Sequence, residues 1–78
     1  MKRTRNEAYL KAFGRNLRKI RKAQGVSMEK LALSAGIEYS QISDIEHGSI
    51  NTTISTVHVI AKALEISEKE LFDFDISK

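Results

Sequence analysis

Apolar residues recur along the chain at the three- and four-residue spacing of amphipathic helices, and no stretch alternates as a β-strand would. The first such run extends from about Glu7 to Gln24. Gly25 follows it and is suited to the left-handed stop of a helix. Gly14 lies inside the run, where glycine weakens a helix, so we expect another helix to pass close to it. The apolar face of this predicted helix consists of Leu10, Phe13, Leu17 and Ile20.

Two short helices joined by a glycine are predicted over about 28–47. Ser27 is a suitable N-cap for the first, Gly36 ends it, and the second covers about 39–46. Ala32 is small enough for the two helices to cross closely, and Gly36 tolerates the positive φ of a tight turn. The pattern fits a helix-turn-helix, with an ordinary helical hairpin as the alternative. The inward-facing residues are Leu31, Ala32, Ala35, Ile37, Ile42 and Ile45.

The rest of the chain predicts two more helices. Thr53 can cap a helix with one apolar face, formed by Ile54, Val57, Ile60, Ala61 and Leu64. Ser67 and Glu70 fit a capping box at the start of a short helix that carries Leu71 and Phe72. The 78 residues therefore predict one all-α domain, a compact five-helix bundle. Its core covers about 10–72, with a basic arm at 1–6 and a tail at 74–78.

Charge is distributed unevenly along the chain. Residues 1–30 hold ten Lys and Arg against Glu7 and Glu29, a net of +8, whereas residues 31–78 hold three Lys against eight acids, a net of −5. A basic N-terminal part is a plausible phosphate-facing surface, although it can also be a solvated helix face. The acidic C-terminal part is not expected to contact a polyanion.

Composition argues against several other functions. The chain has no cysteine, which excludes disulfides and thiolate chemistry and suits a cytoplasmic location. His47 and His58 are eleven residues apart without further ligands, so no metal or other cofactor is expected. No nucleophile has a base at a recognisable spacing, so we expect no enzyme. No apolar run is long enough for a membrane span, and we expect no small-molecule ligand because so short a chain leaves little room for an effector pocket.

Five motifs resemble those of the XRE/Cro family of bacterial and phage repressors: L-x-x-I-R at 17–21, G-V-S-x-E-x-L-A at 25–32, A-G-I at 35–37, I-S-D-I-E-x-G at 42–48 and I-A-K-A-L at 60–64. The resemblance covers about residues 10–72. It implies the lambda repressor-like five-helix fold and a dimeric transcriptional repressor or autoregulator. Such a protein reads a pseudo-palindromic operator in double-stranded DNA through the major groove. The alternative is a protein-interaction module, antitoxin- or adaptor-like, in which DNA binding is weak or lost.

The resemblance also implies roles for residues of the second helix of the motif. Base readout falls on Tyr39, Ser40, Ser43 and Asp44. The carboxylate of Asp44 can accept a hydrogen bond from a cytosine amino group and would be repelled by phosphate, so it can act as a discriminator. Arg21 and Glu46 match a structural ion pair of the family, and Glu38 at the helix start favours capping over base contact.

Phosphate contacts are implied at Met28, Lys30, Ser49, Asn51, Thr52 and Arg15. The sequence departs from the family at Met28, where relatives usually have glutamine, and in the uncharged loop 49–52. The arm residues Lys2, Arg3 and Arg5 either add phosphate contacts or are disordered. Apolar residues beyond the needs of a small core favour a dimer interface formed by Val59, Leu64, Ile66, Leu71, Phe72 and Phe74. The alternative for Phe74 and Ile76 is a frayed tail.

Overall fold

The structure is a computed structural model that describes residues 5–75, and five α-helices account for most of them. Over that range no strand occurs, and no helix is long and apolar enough to cross a membrane. The helices are α1 Glu7–Ala23, α2 Met28–Ala35, α3 Tyr39–Glu46, α4 Ile54–Leu64 and α5 Glu68–Leu71. The predicted all-α fold and its helix order are confirmed, and α1 ends one residue before the predicted boundary.

Local capping chemistry explains where the helices begin. The Ser27 hydroxyl accepts a hydrogen bond from the Lys30 amide, and Thr53 caps α4 in the same way. The Ser67 hydroxyl accepts from the Lys69 amide rather than from that of Glu70, so the predicted capping box is replaced by a simpler cap. Side-chain oxygens thus satisfy helix-end amides at each of these starts.

One core joins all five helices. Each helix contributes one fully buried large side chain, and together these are Leu17, Leu31, Ile42, Ile60 and Leu71. The apolar face predicted for α4 is confirmed from Val57 to Leu64, but Ile54 is 88% exposed and projects away from the core. Ile54 occupies the first turn of α4, beyond the region that the neighbouring helices cover.

The side chains of α1 satisfy the carboxyl ends of two other helices. The Asn16 Nδ2 atom donates hydrogen bonds to the carbonyl oxygens of Glu70 and Leu71, both at 2.9 Å. The Gln24 Nε2 atom donates to the carbonyl oxygen of Leu64 at 2.9 Å. Because the last carbonyls of a helix have no partner within it, these bonds fasten α4 and α5 to α1.

Gly14 lies where α1 meets the end of α3. A Cβ atom at this position would come within 2.4 Å of the carbonyl oxygens of both Ile45 and Glu46. Any side chain would therefore push the two helices apart, which explains the glycine inside a helix. The close approach expected from the sequence is confirmed.

We predict that Gly14→Ala lowers the free energy of unfolding by about 1–3 kcal/mol, the usual cost of overpacking. In an uncrowded helix the same change would add roughly 1 kcal/mol, so the sign of the effect is diagnostic. Urea denaturation measures it, with Ser34→Ala on the exposed side of α2 as a control that should stay within about 0.5 kcal/mol. A variant at least as stable as the parent would contradict the contact.

Candidate nucleic-acid interface

The turn between α2 and α3 places the two helices across each other. Gly36 forms the C-cap of α2 with φ 73°, a left-handed conformation that only glycine adopts without strain. The next helix packs Ile42 and Ile45 into the core, with 0% and 2% of their surface exposed. One face of α3 is thereby fixed inward, and the other is directed away from the domain.

The outward face of α3 carries four residues that we call the α3 stripe: Ser40, Ser43, Asp44 and His47. They occur at helical spacings of three, four and seven residues from Ser40. Ser43 is half-buried and the other three are exposed. Tyr39 is 46% exposed and lies towards the Glu46 side of the helix. The structure thus brings the predicted base-reading residues onto one side of the domain, and their contact with bases stays a prediction.

Charge on α3 is negative where it is exposed. The helix contains no Lys or Arg, and its acids are Asp44 on the α3 stripe and the buried Glu46. Glu38 occupies the N-cap position, but its side chain makes no capping hydrogen bond. The capping hydrogen bond expected from the sequence is therefore not formed. As the N-cap residue, Glu38 still stands next to the positive end of the helix dipole.

A buried ion pair holds the carboxyl end of α3 against α1. The Arg21 Nε atom lies 2.5 Å from the Glu46 Oε2 atom, and Arg21 Nη2 donates to Glu46 Oε1 at 2.9 Å. The remaining Arg21 nitrogen, Nη1, donates to the carbonyl oxygen of Val26 at 2.8 Å. The hydrogen bond that Arg21 donates to Glu46 raises the pKa of Arg21 above its ordinary value, against the opposing effect of burial. The guanidinium thus joins α1, the turn before α2 and α3.

Two predicted phosphate contacts do not present their side chains to solvent. Met28 is half-buried and packs against the core, so only its backbone amide remains at the start of α2. Thr52 is half-buried, and its Oγ1 atom is enclosed without a hydrogen-bond partner among the described residues. The Thr52 hydroxyl is therefore not available for a phosphate contact, whereas contacts from the backbone at Met28 and Thr52 stay a prediction.

The other predicted phosphate residues differ in availability. Arg15, Lys30 and Asn51 are exposed. The Ser49 hydroxyl donates to the carbonyl oxygen of Asp44 at 3.1 Å, so it caps the end of α3. Lys2 and Arg3 lie outside the described residues.

Arg5 fastens the loop that follows α3. Its Nη2 atom donates to the Ser49 carbonyl oxygen at 2.9 Å, and its Nε atom lies 2.6 Å from a carboxylate oxygen of Glu7. The hydrogen bond from Arg5 lowers the pKa of Glu7. This arm residue therefore bonds to its own domain in the structure.

The basic N-terminal part that the sequence suggested as a phosphate-facing surface includes a row of cations along α1. Lys11, Arg15, Arg18 and Lys22 follow one another at helical spacing and are all exposed. We call them the α1 basic row. It runs beside Gly14, which contacts α3, so positive charge borders α3. The spacing of four, three and four residues is visible in the sequence.

An apolar groove of about 440 Å³ lies between α1, α4 and α5. The chain therefore has more concave surface than its length suggested, and the expectation of no small-molecule ligand stays a prediction. The groove includes three partly exposed large side chains, Tyr9, Ile54 and Phe72, at 37%, 88% and 44% exposure. At its edge the His58 Nδ1 atom lies 2.7 Å from a carboxylate oxygen of Glu68, and this bond lowers the pKa of Glu68.

The predicted dimer-interface residues divide into two groups. Leu64 and Leu71 are 2% and 0% exposed and belong to the core of their own domain, so assigning them to an interface is wrong. Val59 and Ile66 are half-buried, and Phe72 is exposed. The Phe74 ring lies 5.1 Å from that of Tyr9, which places this residue against the domain rather than in a frayed tail. Ile76 lies outside the described residues.

Comparison with known proteins agrees with this geometry. The family model HTH_3, described as Helix-turn-helix, matches residues 17–71. The chain belongs to this helix-turn-helix family. Relatives include Control protein C.BamHI of Bacillus amyloliquefaciens, 40% identical over 63 residues that cover 80% of this chain and 78% of C.BamHI. The HTH-type transcriptional regulator PuuR of Escherichia coli is 36% identical over 61 residues, 78% of this chain but 33% of PuuR.

Among solved structures, the restriction-modification controller protein C.AhdI of Aeromonas hydrophila superposes with a TM-score of 0.80. It is 38% identical, and the match covers 81% of this chain and 96% of C.AhdI. As a member of the helix-turn-helix family with the lambda repressor-like fold, the chain is a DNA-binding transcriptional regulator and not an enzyme. Among the described residues, no group of three His, Cys, Asp or Glu could hold a metal ion.

We predict that Glu46→Leu or Arg21→Met alone lowers the free energy of unfolding by about 3–5 kcal/mol, because each leaves a buried charge unpaired. The double variant should lose less than either single variant, since both charges are then removed. Urea denaturation of the parent, both single variants and the double variant measures these free energies of unfolding. Glu7→Gln, which breaks the exposed pair with Arg5, is the control and should change little. Additive losses in the double variant would contradict a coupled pair.

Proposed function

We propose that the chain is a dimeric, sequence-specific regulator of the genes of a restriction–modification system, acting in the cytoplasm. The relatives named as controller proteins support the biological setting. The chain spans 78% of C.BamHI and 96% of C.AhdI but only a third of PuuR. The match extends over most of each controller protein but over a smaller part of PuuR, which favours the controller setting, in which activity is set by the protein's own concentration and its operator.

The observation that carries the proposal is the α3 stripe, which is held outward by the packing of the opposite face of α3. A helix of this kind enters the major groove with its first residues at the base edges. Ser40 and Ser43 donate to or accept from bases. The ring of Tyr39 packs on a thymine methyl group. Asp44 accepts from a cytosine amino group and disfavours every position where its carboxylate would face phosphate.

Phosphate anchoring is assigned to cations that flank α3 rather than to α3 itself. Lys30 on α2 and members of the α1 basic row supply these charges, because the helix and its following loop contain none. The first amides of α2, including that of Met28, add uncharged contacts. Electrostatic attraction to any DNA then depends largely on α1, while discrimination between base pairs depends on α3.

The dimer interface is assigned to the apolar groove, where a second copy of the chain would bind. Ile54 projects from the edge of the groove with 88% of its surface exposed. The protruding side chain and the groove therefore belong to the same surface of the domain. A twofold axis that places each Ile54 in the partner's groove buries both, as an isologous interface requires. Such a dimer reads a pseudo-palindrome with half-sites about 10 base pairs apart, centre to centre.

Selection from a random duplex pool tests the proposed function. The expected result is a palindromic site with half-sites separated by about one helical turn. The regulatory role is tested by placing the selected site upstream of a reporter gene, where the protein should lower or raise expression. A folded, dimeric protein that selects no sequence would instead favour a protein-interaction module on the same fold.

Asp44→Asn is predicted to relax base choice at one position of each half-site without a loss of fold. The amide both donates and accepts, so it no longer excludes a base that presents an acceptor. Discrimination at that position should fall by about 1–3 kcal/mol when matched and mismatched duplexes are titrated. Unchanged discrimination would contradict the assigned role of Asp44.

Ile54→Glu is predicted to convert the dimer to a monomer, because two carboxylates would have to enter an apolar interface. Sedimentation equilibrium measures the shift. Leu33→Glu is a matched control, since Leu33 is 83% exposed on α2 and does not line the groove. If both variants remain dimeric, the interface lies elsewhere; if both become monomeric, the effect is not specific to the groove.

A further inference from the structure

We infer that His47 is a proton-controlled phosphate contact, through which DNA binding strengthens as the pH falls; this rests on the proposed function. His47 is the C-cap residue of α3 and is exposed. It shares the α3 stripe with Ser40 and Asp44. If that stripe faces DNA, the imidazole does so as well.

Its position along α3 assigns the kind of contact. The first residues of a recognition helix lie at the base edges, whereas its carboxyl end lies nearer the sugar–phosphate backbone. His47 follows the last residue of α3, one turn beyond Ser43. The acceptor available at this place is therefore a phosphate oxygen.

A hydrogen bond fixes which ring nitrogen is available. The His47 Nδ1 atom lies 2.7 Å from the Ser43 carbonyl oxygen, which can only accept, so Nδ1 carries a proton. In the neutral ring Nε2 is then an acceptor and has no proton to donate to phosphate. Protonation converts Nε2 into a charged donor while the bond to Ser43 is kept. The same nitrogen thus changes from repelling phosphate to binding it.

Few positive charges lie on α3, so a proton on His47 would change the net charge of its exposed face. The helix has no Lys or Arg, and Asp44 is the acid that shares the stripe with His47. From α1, both the backbone and the side chain of Lys11 approach the adjacent Gly48, so Lys11 is the cation of α1 nearest to this end of α3, and Glu46 is already paired with Arg21. Arg5, paired with Glu7, binds the following loop. Protonation of the imidazole therefore adds a cation to a stripe that contains no Lys or Arg.

The test measures dissociation constants at about pH 6 and about pH 8, on the selected operator and on an unrelated duplex of equal length. The parent protein should bind both about three- to tenfold more tightly at the lower pH, because binding then takes up a proton. The slope of log K against log salt should also steepen, by up to about 0.9 per protomer.

Matched variants assign the effect to one residue. His47→Gln should remove both the pH effect and the change in salt slope, and His47→Lys should bind as tightly at either pH.

Three results would overturn the inference: a parent protein without a pH effect, an effect that survives in His47→Gln, or an effect confined to the operator, which would indicate a base contact. A parent protein that binds no DNA at either pH would overturn the proposed function instead.

Discussion

The close contact between α1 and the carboxyl end of α3 is the constraint on which the rest of the domain depends. Gly14 allows the two backbones to meet, and the Arg21–Glu46 pair joins them with two hydrogen bonds. A buried ion pair is weak evidence of net stability. It does fix the relative positions of the two helices, because moving either side chain away would leave the other charge buried without a partner. The helix α3 is therefore held by its inner face and by its carboxyl end, which leaves the α3 stripe outward.

The first helix acts as the frame of the domain. Asn16 and Gln24 complete the carboxyl ends of α5 and α4, so one helix sets the positions of three others. The same helix presents the α1 basic row on its exposed side. Positioning and electrostatic attraction thus arise from one element, whereas selectivity is assigned to another. This division lets α3 lack Lys and Arg without making DNA binding impossible.

Features encoded within a few residues were predictable, and features set by distant packing were not. The helices and their caps followed from spacing and from Ser27 and Thr53, and the Arg21–Glu46 pair followed from the family resemblance. The exposure of Ile54 and the burial of Leu71 depend on how α4 and α5 pack against α1. The periodicity of apolar residues carries no information about that packing. The inward turn of Thr52 and the groove likewise arise only when three helices are assembled.

The most direct test of the account is a titration of isotope-labelled protein with its selected operator, followed through backbone amide chemical shifts. We predict that the largest changes fall at the start of α2, along the α3 stripe and in the loop that follows α3, with little change in the core of α4. Changes confined to the acidic surface of α5, or none at all with an operator-length duplex, would contradict the claim that α3 is the DNA-reading surface.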